Sequence, residues 1–460
     1  MKSWRDECGV FGVWGVPEAS RLTYLGLYAL QHRGQESAGI TTLHDGHHLF
    51  HKGLGHVADV FTESELDQLH GSVAIGHNRY STHGGNLLAN AQPLSAELKN
   101  GPVSIAHNGN IVNAAQLRHE LIQEGAIFQG SNDTECFLHM LAKSSEDDII
   151  KGIQKIYNRV VGAFSLLVLT QDRLIAMRDP QGFRPLVLGK LGDGYVLSSE
   201  TCAFDLIGAT LIREIEPGEI FWIDKSGQRS IKAEASPAKI SPCIFEYVYF
   251  ARPDSIVFGQ SVYEVRKKCG QILAQEAGID ADIVIPVPDS GVPAAIGYSN
   301  ESGIPFDLGI IRNHYVGRTF IEPKNAIRHF GVKVKLNPQT ALLKNKRVVV
   351  IDDSLVRGTT SKKIVGLIRQ AGAKEVHLRI AAPPTVAPCY YGVDTPTRDE
   401  LIASKRSVEA IEKFVEADTL RYLSLEGLKI ASRGSQTKKT FCSACFDNQY
   451  PTQLFDAHKG

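Results

Sequence analysis

The chain has 460 residues, 43% of them hydrophobic and 22% charged, which is the composition of an ordinary globular protein. This length exceeds what one hydrophobic core usually serves, so it predicts two domains. Lys plus Arg and Asp plus Glu both number 50, so the formal net charge of zero lacks the basic excess of a general nucleic-acid binder and favours small-molecule partners.

The sequence also bears on membranes and on the cellular compartment. No stretch approaches the ~20 apolar residues of a membrane helix, so no membrane partner is expected. The opening segment, Met1 to Glu7, has no apolar core and does not form a secretory signal. We therefore expect a cytoplasmic protein whose eight cysteines serve metals or catalysis rather than disulfides.

The first half of the chain alternates short β-type segments with helical patterns. Turn residues separate these segments, as is typical of antiparallel strands. The pattern predicts an α+β domain in which helices cover antiparallel sheet. The predicted strands are Gly71 to His77, Val103 to Asn108, Ala163 to Thr170 and Gly194 to Ser199, and the predicted helices are Ala115 to Glu124 and Thr134 to Leu141.

The second half follows a change of composition between Ile231 and Pro242, where Ala, Ser, Pro and Lys predict a linker. Beyond it, Ala281 to Pro286 and Arg347 to Asp353 are continuous apolar runs that end in polar loops. Such runs are typical of strands buried on both faces of a parallel sheet. Apolar residues then recur at helical spacing from Ile364 until Gly372 closes the helix. The second half is predicted to be an α/β domain.

The most specific segment of the second half is Val348 to Ser361 (VVVIDDSLVRGTTS). A buried strand there delivers Asp352 and Asp353 to the carboxyl edge of a parallel sheet, where ligands of open α/β folds bind. The loop around Gly358 and the helix that follows offer backbone N–H groups to a phosphate, while the acids suit ribose hydroxyls or Mg²⁺. The pattern is not a Walker loop. The alternative is an ordinary strand–turn–helix whose acids only cap.

This segment resembles the signature of the type I phosphoribosyltransferases for phosphoribosyl pyrophosphate. The resemblance implies that Asp352 and Asp353 hold the ribose hydroxyls and help to bind Mg²⁺. It also implies that the loop from Ser354 to Thr360 holds the 5-phosphate. The substrate ligands implied in that loop are Ser354, Arg357, Gly358, Thr359 and Thr360.

Two further loops resemble parts of the same family. Pro286 to Gly291 (PVPDSG) is similar to its pyrophosphate loop, which makes Ser290 a neighbour of the metal. Arg312 to Lys335 is basic and resembles the flap that closes over substrate, excluding water from an oxocarbenium-like centre. Without the resemblance, that second stretch is simply a solvated basic loop.

In the first half, Cys8 is the candidate nucleophile. A thiol has a pKa of about 8.5 and an α-amino group one of about 8. If Cys8 were the first residue, its own amine could act as the general base, as in N-terminal threonine enzymes. This mechanism requires that residues 1–7 are a propeptide that is removed. The alternative is a small buried apolar residue.

Four ordered motifs accompany Cys8 and resemble the landmarks of class II glutamine amidotransferases with the N-terminal nucleophile fold. The resemblance implies that Arg79 pairs with the glutamine α-carboxylate and Asp133 with its α-ammonium. It implies that Asn108 and the Gly109 N–H form the oxyanion hole. The motifs are Gln31 to Gly39, His77 to Gly84, Ala106 to Asn110 and Ser131 to Glu135, and their histidines His32, His77, His83 and His107 are assigned positioning roles.

A glutaminase domain at 8–236 (αββα) followed by a phosphoribosyltransferase domain at 237–460 resembles the amidophosphoribosyltransferases. The resemblance implies that glutamine, phosphoribosyl pyrophosphate and water give 5-phosphoribosylamine, glutamate and pyrophosphate, the first step of purine synthesis. An apolar ammonia channel, purine nucleotide inhibitors and a homotetramer are also implied. The alternatives are another class II amidotransferase, or a regulator that only senses phosphoribosyl pyrophosphate.

The remaining motif is a CSAC pair, Cys442 and Cys445. Alone, it is ambiguous among a redox pair, a zinc half-site and a cluster site. The iron–sulfur branch of the family has cysteines at these two positions and at those of Cys243 and Cys389, which implies a [4Fe–4S] cluster in a C-terminal cluster-binding tail. Zinc is the first alternative and buried thiols without a metal are the second. The other three cysteines, Cys136, Cys202 and Cys269, are expected in the core.

Overall fold

The structure is a computed structural model that describes residues 8–80, 87–233, 239–313, 336–435 and 439–455. The predicted propeptide, His83 and nearly all of the predicted flap lie outside these residues. Within the described part, no helix is both long and apolar enough to cross a membrane.

The first domain is built on two antiparallel sheets. In the seven-stranded sheet the order is β11-β9-β10-β1-β4-β2-β3, and in the six-stranded sheet it is β13-β12-β8-β7-β6-β5. The strands of the first sheet are β1 (Gly9–Trp14), β2 (Ser37–His44), β3 (His47–Leu54), β4 (Val73–Arg79), β9 (Val187–Leu191), β10 (Gly194–Ser198) and β11 (Thr210–Glu214). Those of the second are β5 (Leu94–Leu98), β6 (Gly101–Ile111), β7 (Gly162–Leu169), β8 (Leu174–Arg178), β12 (Glu219–Asp224) and β13 (Gly227–Lys232).

Three apolar layers hold this domain together. Val10 and Ile75 of one sheet meet Ala106 and Leu167 of the other in a buried cluster between the sheets. Separate clusters bury the helices on the two outer faces, which makes the αββα arrangement. The helices on the first sheet are α1 (Ala19–Ala29), α2 (Val57–Val60), α3 (Glu63–Gln68) and α7 (Cys202–Ile207), those on the second α4 (Ala114–Gln123), α5 (Glu135–Ala142) and α6 (Ile149–Tyr157), and a short 3₁₀ turn spans Leu88–Asn90.

The second domain contains a four-stranded parallel sheet of order β16-β19-β20-β21. Its central β19 is buried on both faces, because Val349 and Ile351 pack into one apolar cluster and Val348 and Val350 into another. The strands are β14 (Ile256–Val257), β15 (Gln260–Ser261), β16 (Ile283–Pro286), β17 (Ile310–Arg312), β18 (Leu336–Pro338), β19 (Arg347–Asp352), β20 (Glu375–Ile380) and β21 (Thr419–Tyr422).

Helices cover both faces of this sheet, as the continuous apolar runs predict. They are α8 (Val262–Glu276), α9 (Val292–Ser302), α10 (Thr340–Leu343), α11 (Thr359–Gln370), α12 (Ile402–Lys405), α13 (Val408–Val415), α14 (Leu425–Arg433) and α15 (Ala444–Asp447). A π-helical turn spans Glu246–Phe250 and a 3₁₀ turn spans Arg398–Glu400.

The sequence-based elements agree with the structure except at the start of the linker. The predicted linker begins at Ile231, but β13 runs on to Lys232. This strand lies at the edge of its sheet, so main-chain pairing with β12 holds it while most of its side chains are exposed. Its polar sequence therefore carries no burial signal. The prediction that Cys136, Cys202 and Cys269 are core residues is confirmed by their burial.

Candidate active sites

Cys8 and Arg79 meet at one end of the seven-stranded sheet. Gly9 of β1 pairs with Asn78 of β4, so the next step of the antiparallel register places Cys8 level with Arg79. Both residues are buried, and the Cys8 Sγ lies 3.5 Å from the Tyr80 carbonyl oxygen. The sheet therefore places Cys8 in register with an arginine whose guanidinium can pair with a carboxylate.

Asn108 and Gly109 lie on β6 of the other sheet. The buried Asn108 Nδ2 has no hydrogen-bond partner among the described residues. An unpaired buried donor costs about 1–3 kcal/mol, so such a group fits a site that stabilises a bound oxyanion. Gly109 has φ 147°, and a Cβ there would lie 2.0 Å from the Ala163 carbonyl oxygen. Only glycine allows this close approach of the two strands.

Two histidines connect these elements. His77 Nε2 lies 2.9 Å from the His107 carbonyl oxygen and thereby bridges the two sheets. Burial lowers the pKa of His77 to about 3, so its ring is neutral near pH 7 and suits positioning rather than proton transfer. His107 Nδ1 lies 3.6 Å from an Asp133 carboxylate oxygen, whose partner oxygen accepts from the Ile111 N–H at 2.9 Å. Asp133 is thus fixed at the end of the strand that carries Asn108.

The predicted phosphoribosyl residues surround one cavity of about 480 Å³ in the second domain. β19 ends in Asp352, and the chain then turns through Gly358 (φ 73°) into the N-terminus of α11. Arg357 is held by Glu400 at 2.9 Å. The predicted residues that line the cavity are Ser290, Asp352, Asp353, Ser354, Arg357, Gly358, Thr359 and Thr360.

The paired carboxyls in this cavity form a candidate Mg²⁺ site. Burial raises the pKa of Asp352 well above its usual value, and the charge of Asp353 raises it further. Burial also raises the pKa of Asp353, although hydrogen bonds from Ser290 and Ser354 oppose the change. Two adjacent buried carboxylates need a cation, and oxygen ligands are those that Mg²⁺ prefers. The residues fit the metal.

The four cysteines predicted for a cluster line one small apolar cavity. Cys243 and Cys442 form an isolated β-bridge, and the Val386 and Ala387 N–H groups donate to the Cys445 carbonyl oxygen at 2.9 and 3.2 Å. The linker, the tail and the loop after β20 therefore converge on this cavity. Its aromatic and aliphatic walls are Phe183, Phe245, Tyr391, Val393, Ala444 and Tyr450.

The arrangement and charge of these four thiols bear on the metal group that they could hold. Within the described residues, no group of three or more His, Cys, Asp and Glu residues is arranged to hold a metal ion. One tetrahedral zinc ion, with Zn–S bonds of about 2.3 Å, would draw its sulfurs to within about 3.8 Å of one another. A four-iron cluster binds each sulfur at a different iron and so takes more widely spaced thiols. Burial raises the pKa of Cys445, as do the charges of the other three, so thiolates here need positive charge. The four thiols therefore offer a metal group one shared apolar cavity.

The cysteine-lined cavity also adjoins β6, the strand that carries Asn108 and Gly109. The Asn110 Nδ2 donates to the Tyr390 carbonyl oxygen at 2.9 Å. A Cβ on Gly392 (φ 106°) would lie 3.1 Å from the Gly109 carbonyl carbon. The loop that begins at Cys389 therefore packs against the strand of the proposed oxyanion hole.

Sequence reasoning did not assign four buried charged residues between the two domains. Arg33 and Arg184 contact Glu246, and Arg33 also contacts Glu200, with all four side chains fully buried. One signal was available, because Glu246 is a lone charge inside an apolar run (CIFEYVYF) and such charges are almost always paired when buried.

Family models of known proteins match this chain separately in its two domains. A glutamine amidotransferase domain model matches residues 77–205, and a phosphoribosyl transferase domain model matches residues 258–387. The chain is 54% identical over 453 residues to amidophosphoribosyltransferase 1, chloroplastic, of Arabidopsis thaliana, covering 98% of this chain and 79% of that protein. The chain belongs to the amidophosphoribosyltransferase family. It is also 48% identical over 459 residues to the amidophosphoribosyltransferase of Bacillus subtilis (strain 168), covering 99% of this chain and 96% of that protein.

A solved structure from the amidophosphoribosyltransferase family confirms the predicted fold. The Bacillus subtilis glutamine phosphoribosylpyrophosphate amidotransferase, complexed with ADP and GMP, superposes with a TM-score of 0.93 at 47% identity, covering 98% of each chain. The N-terminal nucleophile domain followed by a phosphoribosyltransferase domain is therefore the family architecture. The family assignment favours an enzyme over a sensing regulator and over another class II amidotransferase.

Proposed function

We propose that this amidophosphoribosyltransferase makes 5-phosphoribosylamine in two steps at two separate sites, the first step of purine biosynthesis. Glutamine would be hydrolysed at Cys8, and the ammonia would displace pyrophosphate from phosphoribosyl pyrophosphate above Asp352 and Asp353. The observation that carries the proposal is that one chain places a thiol level with a buried arginine in one domain and paired acids beside a phosphate-type loop in the other.

At the glutaminase site, Arg79 would hold the α-carboxylate of glutamine and Asp133 its α-ammonium group. The Cys8 thiolate would attack the side-chain amide after its own α-amine takes the proton, once residues 1–7 are removed. The unpaired Asn108 Nδ2 and the Gly109 N–H would bind the oxyanion of the tetrahedral intermediate. Loss of one such donor typically costs about 3–4 kcal/mol of transition-state stabilisation.

At the phosphoribosyl site, Asp352 and Asp353 would accept hydrogen bonds from the ribose hydroxyls. The N-terminus of α11 and the loop from Ser354 to Thr360 would bind the 5-phosphate. Mg²⁺, held by the acids near Ser290, would neutralise the leaving pyrophosphate. The apolar ammonia channel and the closing flap stay predictions, because the flap residues 314–335 lie outside the described part.

We also propose that Cys243, Cys389, Cys442 and Cys445 hold a [4Fe–4S] cluster. Support comes from their common apolar cavity and from the need of clustered buried thiols for positive charge. The role would be structural or oxygen-sensing, because the cluster would tie the linker, the tail and the sheet domain together and nothing in the amide and phosphoribosyl chemistry needs an electron.

Replacing Cys445 by Ser should remove the cluster. We expect loss of iron and sulfide and of the broad visible absorbance, together with a lower melting temperature, because one ligand is missing and the tail is no longer tied down. Metal analysis and absorbance spectra of anaerobically purified protein measure this. Cys136→Ser is the matched control, since Cys136 is buried far from the cavity in sequence and structure. A wild-type protein with one zinc and no iron would contradict the cluster.

Regulation, assembly and location are also proposed rather than observed. Purine nucleotides are proposed inhibitors, supported by the ADP and GMP named with the Bacillus subtilis structure. A homotetramer and a cytoplasmic location stay predictions. The family has both bacterial members and plant members named as chloroplastic, so membership alone does not assign the compartment.

The proposed two-site function is tested by a steady-state assay of glutamate and pyrophosphate release. With both substrates and Mg²⁺ present, we expect the two products to form in a ratio of one to one. Omitting Mg²⁺ or phosphoribosyl pyrophosphate should stop pyrophosphate release. Pyrophosphate release that proceeds at full rate without Mg²⁺ would contradict the proposed role of the acid pair.

A further inference from the structure

The four buried charges between the domains form a network that begins at the nucleophile. The Arg33 side chain is completely buried, and its Nε donates to the Cys8 carbonyl oxygen at 3.1 Å. Arg33 therefore fixes the main chain of the residue that is proposed to supply both thiol and amine. Nothing in the amide chemistry requires Arg33 to touch the substrate.

Two carboxylates fix Arg33 in turn. Its Nη1 donates to Glu200 at 2.5 Å, and its Nη1 and Nη2 donate to the two oxygens of Glu246 at 3.0 and 2.8 Å. Burial raises the pKa of Glu200, but its interactions with His32 and Arg33 outweigh burial and hold that pKa below its usual value. The Glu200 carboxylate is therefore charged and bound.

Glu246 comes from the other side of the linker. It opens the π-helical turn Glu246–Phe250, and one of its oxygens also accepts from Arg184 Nη1 at 3.2 Å. Arg184 then donates to the Tyr391 carbonyl oxygen in the loop that follows Cys389. Two arginines and two glutamates with fully buried side chains balance in charge, so removal of one charge leaves another uncompensated.

From these contacts we infer that Glu246 is a positioning residue for the glutaminase reaction, acting through Arg33 on the Cys8 main chain. The inference rests on the proposed role of Cys8 as the nucleophile. It assigns to a residue beyond the linker a part in completing the first site. The glutaminase domain alone would lack the bidentate partner of Arg33, and its nucleophile would be held less rigidly.

The test is Glu246→Gln, which keeps the shape of the side chain and removes its charge. We expect kcat for glutaminase activity to fall about 10- to 100-fold while KM for glutamine stays within about twofold, since misplacement of the nucleophile affects the chemical step. With ammonium chloride and phosphoribosyl pyrophosphate, which bypass Cys8, the rate should stay within about twofold of wild type. Glu264→Gln, an exposed residue at the start of α8, is the matched control and should change neither rate.

Two outcomes of the Glu246→Gln experiment overturn the inference. A glutaminase kcat within about twofold of wild type does so, as does an equal fall in both activities, which indicates general disruption of the fold. If Glu246→Gln does not fold, Arg33→Lys is the second variant, because it keeps the positive charge and removes the paired N–H donors of the guanidinium. It must lower the glutaminase kcat while leaving the ammonia-dependent rate unchanged. Failure of the parent proposal is distinguishable, because in that case Cys8→Ala, unlike these variants, would retain glutaminase activity.

Discussion

Cys8→Ala should lower glutaminase activity by at least about 10⁴-fold, because loss of the nucleophile in acyl-transfer enzymes costs up to about 10⁶-fold in kcat. Phosphoribosylamine formation from ammonium chloride should persist, since Asp352 and Asp353 lie in the other domain and neither needs the thiol. Glutamate release measures the glutaminase activity, and pyrophosphate release with ammonium chloride measures the phosphoribosyl transfer, both on the same preparation.

The matched control for this variant is Cys202→Ala. Cys202 is also buried in the first domain, but burial raises the pKa of its thiol, which makes it a poor nucleophile. We expect near wild-type glutaminase activity. The intact mass of the active protein adds a second check, because an α-amine base on Cys8 requires that residues 1–7 be absent. Full activity in a chain that keeps them would disprove the amine mechanism while leaving the thiol in place.

Asp352→Asn combined with Asp353→Asn should produce the second large effect. Hydrogen bonds to charged groups contribute about 1.5–3 kcal/mol each, so loss of two should reduce kcat/KM for phosphoribosyl pyrophosphate by about 10²- to 10⁴-fold. Ammonia-dependent pyrophosphate release measures this without involving the glutaminase site. The glutaminase domain should keep its fold, because both acids line a cavity whose walls come from the second domain.

The wild-type pH dependence gives an independent test of the acid pair. Burial raises the pKa of both carboxyls, so protons compete with Mg²⁺ at a higher pH than they would at an exposed aspartate. The apparent affinity for Mg²⁺ should therefore fall as the pH is lowered through those raised values.

For the double variant of Asp352 and Asp353, the control is Asp307→Asn, which changes an exposed carboxyl in the same domain and should change neither affinity nor rate. A double variant with wild-type kcat/KM would exclude the acids from substrate binding.

Local signals were sufficient for much of this architecture. The apolar run of β19 predicts a strand buried on both faces, and Val348 to Ile351 do point alternately into two cores. The short phosphate loop could be predicted as a unit because its residues are adjacent in sequence. By contrast, the partner of Glu246 lies 213 residues away, so the pairing with Arg33 follows only from the fold. The end of the polar edge strand β13 could not be predicted from its residues, because the strand is held by main-chain pairing that leaves no pattern in its side chains.

The contact between Gly109 and Gly392 limits how the two halves of this chain can be recombined. Each glycine has a backbone conformation that other residues rarely adopt, and a Cβ on Gly392 would lie 3.1 Å from the Gly109 carbonyl carbon. A chimera that joins this glutaminase half to a foreign phosphoribosyltransferase half must therefore keep a side-chain-free position opposite Gly109. A single methyl group at that junction would push the loop that begins at Cys389 away from the strand that carries Asn108, so the halves form a fitted pair rather than interchangeable modules.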